Sequence, residues 1–259
     1  MYRGFDLNFN DFDKEKIIKT FFNIGYGIAT TLKIQIHDNL SAFLSPDGTI
    51  NASQMQESWF PKIKTDVFLS HSHEDKELAI SIAGMFYANF NLLTFVDSCV
   101  WDYAGDLLKD IDKKYCSIKE NSYDYDRRNF STCHVHMILA SALSKTIDNC
   151  ECLFFLNTPE SVQPGKVIDQ TISPWIYYEV GISKTIRQHN PRLKKAKMAM
   201  DEGLRKTASR LPDFNYDLDK THLIKIDQSQ LDQWHLWHQR NPLTHPLDIL
   251  YGINKIPAS

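Results

Sequence analysis

Short apolar segments alternate with longer stretches of helical period over most of the chain, from about residue 64 onward. Apolar runs at residues 66–70, 92–97, 151–157 and 222–227 predict four buried strands. Helices are predicted over residues 75–90, in two pieces up to about residue 149, from Ser173 onward, over residues 187–210 and over residues 228–238. Strands that alternate with helices are typical of a parallel sheet with crossover helices, so the pattern indicates an α/β fold.

The first sixty residues follow a different pattern. A helical stretch runs from residue 13 to about residue 37, and a polar segment containing Pro46, Asp47 and Gly48 follows it. This change predicts two parts, an N-terminal helical extension over residues 1–62 and an α/β domain over residues 63–259 that ends in a helix. Residues 113–131 are interpreted as an insertion, and residues 158–172 as a long loop.

Composition and charge narrow the class of protein. The chain has 259 residues, of which 42% are hydrophobic and 24% charged, values of a folded globular protein and not of a disordered one. A net charge of -3 excludes a nucleic-acid binder that depends on excess basic charge. The basic stretch within residues 192–210 is interrupted by acidic residues, so we interpret it as a solvated face in preference to a nucleic-acid or partner surface.

The start of the chain and the cysteines point to a cytoplasmic protein. Acidic residues precede any apolar run, the opposite of a cationic signal-peptide start, and the uncharged stretch over residues 20–32 is shorter than the roughly 20 apolar residues that cross a bilayer. Five cysteines without CxxC spacing fit reduced thiols. We therefore expect a cytoplasmic location and no membrane partner.

The segment that starts at Ser173 carries the most chemical information. Ser173 is a favoured N-cap, and Pro174 follows at the first helical position, where its missing N–H costs nothing. One face of this helix then collects Trp175, Tyr178, Glu179, Ile182 and Ile186. The other faces are also largely apolar, which predicts that the helix is packed on both sides. A carboxylate there is costly unless it is paired, protonated or facing a cleft, so Glu179 is either a structural acid or a functional one.

Three polar segments follow predicted strands. Residues 70–75 (Ser-His-Ser-His-Glu-Asp) come after the first, residues 97–105 after the second, and the helix from Ser173 to Glu179 after the third. In an open parallel sheet, ligands bind beyond the carboxyl ends of the strands, so these segments can converge on one cleft. Ser72 and Asp75 also have the spacing of a capping box for the first helix.

In chain order, the motifs DVFLSHSHEDKELA, TFVD with a loop ending at Gly105, CLFFLN and SPWIYYE resemble a bacterial TIR (Toll/interleukin-1 receptor) domain over roughly residues 64–235. The resemblance implies a flavodoxin-like, five-stranded parallel sheet with helices on both faces. It also implies cleavage of the nicotinamide–ribose bond of NAD, with Glu179 as the catalytic carboxylate. Substrate-binding residues are then expected at Ser70, His71, Ser72, Asp97, Trp101, Ser173, Trp175 and Tyr178.

The resemblance further implies a role in antiphage defence. Such proteins deplete NAD or make a cyclic or otherwise modified ADP-ribose that switches on a separate effector, and they work as assemblies through their TIR surfaces. NAD is then a substrate, and no cofactor or metal is expected. The alternatives are a non-catalytic TIR interaction module and a nucleoside hydrolase or transferase on a similar sheet.

Other candidate sites have simpler structural interpretations. His71 and His73 lie at a strand-to-helix turn with no second ligand cluster at zinc spacing, so a loop lining a nucleotide is favoured over a metal site. Cys133 and His136 belong to a segment whose alternate residues do not share a helix face. Gly25-Tyr-Gly27 follows no predicted strand and lacks a third glycine, so helix packing explains it better than dinucleotide binding.

Overall fold

A five-stranded parallel sheet lies at the centre of the protein, as the sequence predicts. The structure, a computed structural model, describes residues 2–9, 12–33, 51–60, 63–96, 98–119, 122–163, 169–186 and 216–254, with backbone only at residues 58–59 and 99–104. The strands are β1 (Arg3–Asn8), β2 (Val67–Ser70), β3 (Thr94–Val96), β4 (Ser117–Lys119), β5 (Ser122–Tyr123), β6 (Cys152–Asn157), β7 (Gln170–Thr171), β8 (Tyr216–Asp217) and β9 (Ile224–Ile226). The helices are α1 (Lys14–Lys33), α2 (Ala52–Trp59), α3 (Lys76–Phe90), α4 (Ser98–Ile111), α5 (Tyr125–Asn149), α6 (Pro174–Thr185), α7 (Gln228–Arg240) and α8 (Pro246–Ile253).

The main sheet has the strand order β3-β2-β6-β1-β9, and every adjacent pair is parallel. Its strands β2, β3, β6 and β9 fall inside the four predicted runs, so these predictions are confirmed. The predicted α/β class with a five-stranded parallel sheet and helices on both faces is also confirmed.

The N-terminal strand corrects the predicted domain organisation. We expected residues 1–62 to form a helical extension outside the sheet, but β1 pairs with β6 on one side and with β9 on the other. Phe5 and Leu7 are wholly buried on one face of the sheet, whereas Asp6 points to the other face and is held by polar partners. The charge of Asp6 makes this strand hard to recognise in the sequence. Charged residues are rarely buried unless they are paired, so a segment that contains one is interpreted as a surface segment when the partners are unknown.

Side-chain alternation along the strands divides the core into two layers. Val67 and Leu69 of β2 pack on the face covered by α1, α3, α7 and α8, whereas Phe68 packs on the face covered by α4, α5 and α6. Ser70 follows Phe68 by two residues and therefore faces α6. This alternation places the last polar side chain of β2 under the helix that carries Glu179.

The crossing of α1 and α3 explains the first glycine of the Gly-Tyr-Gly segment. A Cβ atom built at Gly25 would lie 1.8 Å from the carbonyl oxygen of Ile80, and one built at Gly84 would lie 2.3 Å from that of Phe21. The helices therefore approach at glycine contacts, and the helix-packing interpretation is confirmed for Gly25. Gly27 has no atom within 4 Å of such a Cβ and takes no part in the crossing.

The described residues of the predicted insertion follow α4 and run into α5. They contain a single π-helical turn (Asp112–Cys116), the β4–β5 hairpin and the start of α5. The predicted helix at residues 187–210 and the Pro46–Gly48 segment lie outside the described residues. No helix in the described part of the chain has the length and apolar character needed to span a membrane. Cys116, Cys133, Cys150 and Cys152 are free thiols.

Candidate functional site

A direct hydrogen bond joins the end of β2 to α6. The Oγ of Ser70 donates to Oε2 of Glu179 at 2.7 Å. Both side chains are 0% exposed. Ser70 is the last residue of its strand, so the contact lies at the carboxyl edge of the sheet, where open parallel sheets bind ligands. Two of the three polar segments singled out in the sequence therefore meet at this edge.

The sequence fixes where α6 begins and hence where Glu179 lies. The Oγ of Ser173 accepts a hydrogen bond from the Ile176 backbone N–H at 3.3 Å, and Pro174 occupies the first turn. This confirms Ser173 as the N-cap. Ile176, Val180 and the partly buried Ile182 pack into the core. Starting from this cap, the second turn of the helix directs Glu179 at the sheet.

Among the described residues, part of α6 is exposed, in contrast to the predicted packing on both sides. Tyr177 is 47% exposed and stacks on Tyr216 with a ring separation of 4.9 Å, and Gly181 is also exposed. The helix lies on an outer face of the sheet, and the stripe with Tyr177 and Gly181 is not covered by the described residues.

Glu179 is wholly buried on a helix whose neighbouring residues Ile176 and Val180 belong to the apolar core. Transfer of a carboxylate from water into such surroundings costs several kcal/mol unless hydrogen bonds replace its hydration. A donor to a charged acceptor contributes about 1.5–3 kcal/mol, so the Ser70 hydroxyl offsets part of this cost. In a region of low dielectric, an ionised carboxylate at this position would act strongly on a neighbouring cation.

The loop after β2 is tied to the loop after β6. The carboxylate of Asp75 accepts hydrogen bonds from the hydroxyls of Thr158 and Ser161, the latter at 3.4 Å. These two residues were not predicted, because nothing near residue 158 in the sequence indicates a partner more than eighty residues away. Their hydroxyls fix the two loops that border Ser70 on adjacent strands.

The predicted capping box at this loop is wrong. Ser72 is the N-cap of a short 3₁₀ turn, His73–Asp75, but its side chain makes no capping hydrogen bond. Asp75 is buried and turned toward Thr158, so it is unavailable for the reciprocal contact that a capping box requires. His71 is also buried, with Nδ1 3.3 Å from the Leu69 carbonyl oxygen.

Trp175 and Tyr178 lie between α6 and α5. The Tyr178 hydroxyl donates to the Ala140 carbonyl at 3.0 Å and also contacts the hydroxyl of Ser144. The Trp175 ring meets His136 edge-on at 5.7 Å. Both side chains therefore have a structural role between helices, and their assignment as substrate contacts stays a prediction.

The remaining predicted residues differ in how far the structure describes them. Ser72 is half-buried in the loop after β2. Asp97 lies outside the described residues, and Trp101 is described only as backbone within α4. Their predicted contacts with a ligand therefore stay predictions.

A serine–histidine pair lies one helical turn beyond Glu179 and was missed in the sequence. The Oγ of Ser183 lies 2.8 Å from Nε2 of His222, and this hydroxyl also donates to the Val180 carbonyl at 2.8 Å. Burial lowers the pKa of His222 below its ordinary value of 6.5. The only available signal was the spacing of four residues between Glu179 and Ser183, which places both on one helix face.

The described residues contain no cluster of three or more His, Cys, Asp or Glu side chains able to hold a metal ion. Comparisons with protein-family models, curated proteins and solved structures return no match to this chain. The functional interpretation therefore depends on the residues themselves and on their geometry.

Proposed function

We propose that this chain is an enzyme that cleaves the nicotinamide–ribose bond of NAD, with Glu179 as its catalytic carboxylate. The observation that carries the proposal is the buried hydrogen bond between Ser70 and Glu179. It brings together the two motifs, SHSHED and SPWIYYE, through which the sequence resembles a TIR domain. The five-stranded parallel sheet with helices on both faces, the fold class implied by that resemblance, supports the same proposal.

The chemistry suits a buried carboxylate. The bond between ribose C1′ and the pyridinium nitrogen breaks, nicotinamide leaves as a neutral molecule, and positive charge develops on the ribose. Because the leaving group needs no proton, the enzyme has to stabilise an oxocarbenium-like sugar, as glycosidases do. A carboxylate in surroundings of low dielectric does this through charge alone.

The fate of the sugar decides the product. Capture by water, with loss of a proton, gives ADP-ribose, and capture by a nucleophile of the same molecule gives a cyclic product. We propose that the product is a cyclic or modified ADP-ribose that signals to a separate effector in antiphage defence. We also propose that the protein acts in the cytoplasm and assembles with copies of itself. The four cysteines whose side chains the structure describes are free thiols, which agrees with a reducing compartment.

Complete burial of Glu179 has a consequence for catalysis. A carboxylate that is 0% exposed reaches a substrate only after a covering segment moves. The active state therefore differs from the structure described here near the end of β2. This predicts that activity depends on a trigger or on assembly, since a conformational step precedes chemistry.

The decisive experiment is a nicotinamide-release assay at high protein concentration, with and without extract from infected cells. Glu179→Gln keeps the volume and removes the charge, and we expect it to lower the rate about 10²–10³-fold, the usual effect of removing a group that stabilises the transition state electrostatically. Glu77→Gln, at an exposed position in the first turn of α3, is the matched control and should keep the wild-type rate. Equal rates for the wild type and Glu179→Gln would exclude Glu179 from the mechanism.

One observation favours a second candidate, a non-catalytic interaction module. A buried glutamate bonded to a strand serine is also what a purely structural role requires. In that case no nicotinamide is released under any condition, and Glu179→Gln changes only the stability. Nicotinamide release by the wild type therefore separates the two candidates, because loss of the buried carboxylate lowers the unfolding free energy in both.

A further inference from the structure

A second crevice opens at the carboxyl edge of the sheet, on the far side of β6 from Ser70. The chain leaves β6 toward α6 on one face of the sheet, and it leaves β1 toward α1 on the opposite face. Adjacent strands whose connections diverge in this way form the crevice in which α/β proteins bind ligands. A cavity of about 740 Å³ lies there, a volume within the usual range of ligand pockets.

The floor of this cavity is a buried polar cluster centred on Asp6. Asp6 is 3% exposed, and its Oδ1 accepts a hydrogen bond from Nδ2 of Asn157 at 2.8 Å. Lys220 is 12% exposed, and its Nζ lies 3.6 Å from Asp6 Oδ2 and 3.1 Å from Asp169 Oδ2. Two charged side chains and an amide are thus held in fixed positions beneath an open volume.

This cavity is distinct from the Ser70–Glu179 pair. Ser70 is in register with Phe155 of β6, and Phe155 is in register with Asp6 of β1. Asp6 therefore lies two strand spacings from Ser70, about 10 Å away. Glu179 does not line the cavity, so a ligand bound there lies apart from the carboxylate proposed to act on NAD.

The lining decides what the cavity can hold. Among the lining residues that the structure describes, four carboxylates (Asp6, Asp169, Asp219, Asp227) outnumber two ammonium groups (Lys220, Lys225), so a phosphate is disfavoured. Within the described part of the lining, Leu218 and Ile226 are the only apolar side chains, so a large apolar ligand gains little there. Carboxylate acceptors alternate with ammonium and amide donors around the same volume, and a hydroxyl group both donates and accepts.

We propose that this cavity binds a small, uncharged ligand with neighbouring hydroxyl groups, a sugar or the ribose of a nucleoside. Lys220 and Asn157 present donors at its floor, and Asp169 presents a half-exposed acceptor at its wall. Two adjacent hydroxyls on a sugar ring can accept a hydrogen bond from one protein group and donate one to another. The cavity presents donors and an acceptor together in this way. Phosphate on the same ligand weakens binding, because the carboxylates repel it.

The test is a ligand-observed NMR titration of the full chain with ribose, adenosine and AMP. We expect ribose and adenosine to bind at millimolar concentration and AMP to bind more weakly than adenosine. Similar affinities for ribose and adenosine identify a sugar site, and tighter binding of adenosine identifies a nucleoside site. Tighter binding of AMP, or no binding of either ribose or adenosine, would overturn the proposal.

Variants localise the binding. Lys220→Gln removes the central ammonium and should weaken binding about tenfold, and Lys225→Gln, at an exposed position, should weaken it about threefold without disturbing the fold. Lys119→Gln, on the β4–β5 hairpin outside the cavity, is the matched control and should bind like the wild type. Binding that survives both cavity substitutions but is lost in Glu179→Gln would place the ligand at the other site and refute the assignment.

Discussion

The contact between α1 and α3 gives the sharpest test of the packing, because one helix carries both the perturbed glycine and its control. Gly25 is buried and Gly27 is exposed, two residues apart on α1. Gly25→Ala places a methyl group 1.8 Å from a backbone carbonyl oxygen of α3. Gly27→Ala places the same methyl group where no atom lies within 4 Å.

The magnitude follows from two opposing effects. In a helix interior alanine is more favourable than glycine by about 1 kcal/mol, and both variants gain this amount. Overpacking a core costs about 1–3 kcal/mol, and the upper end applies here because a backbone oxygen cannot rotate away as a side chain does. We therefore expect Gly25→Ala to lose about 2 kcal/mol and Gly27→Ala to gain about 1 kcal/mol.

Urea unfolding followed by circular dichroism measures the difference, which should be about 3 kcal/mol between the two variants. Gly84→Ala approaches the same contact from the other helix, with a Cβ 2.3 Å from the Phe21 carbonyl oxygen, and should also destabilise the protein. If Gly25→Ala proves as stable as Gly27→Ala, the helices do not cross at these glycines and the reasoning is refuted.

Four further predictions concern single side chains. Ser70→Ala should lower the free energy of unfolding by about 1–3 kcal/mol, because the buried carboxylate of Glu179 loses a donor, and an unchanged urea midpoint would contradict this. Asp227→Ala should cost about 1 kcal/mol, since Asp227 and Gln230 form a complete capping box at the start of α7, whereas a loss no larger than that of Ser229→Ala on the same turn would argue against it. Burial lowers the pKa of His222 below 6.5, so the unfolded chain takes up a proton more readily, stability falls as the pH drops below that value, and His222→Gln should flatten this part of a stability–pH curve. The exposed Cys133 should react with a thiol reagent in the native protein, whereas Cys150, whose pKa burial raises to about 12, should react only after unfolding, as peptide mass spectrometry would reveal.

Helix starts and buried strands were predictable where neighbouring residues alone determine them. Ser173 and Pro174 specify a helix start by capping geometry alone, and the structure has the helix begin there. The apolar runs that became β2 and β6 are buried whichever neighbours they pair with, because both faces of a parallel sheet are covered.

Pairing over long distances was not predictable. Residues 3–8 contain two charged residues, Arg3 and Asp6, and their place between β6 and β9 depends on partners about 150 and 220 residues away along the chain. The buried position of Asp6 becomes favourable only when Asn157 and Lys220 surround it. These partners lie far from Asp6 in the sequence, so no local pattern shows that its charge is paired. Residues 1–62 were therefore interpreted as an extension outside the sheet.

The sequence by itself therefore determined the α/β class, most strand positions in the main sheet, the start of α6 and the helix face shared by Trp175, Tyr178 and Glu179. Tertiary structure decided what that face meets: Glu179 reaches Ser70 on the sheet, whereas Tyr178, one residue earlier, bonds to α5. It also decided that the N-terminal strand completes the sheet and creates a cavity beside it. The physical reason is that helical period and capping act within a few residues, whereas the partner of a buried polar group is fixed only when distant strands and helices pack together.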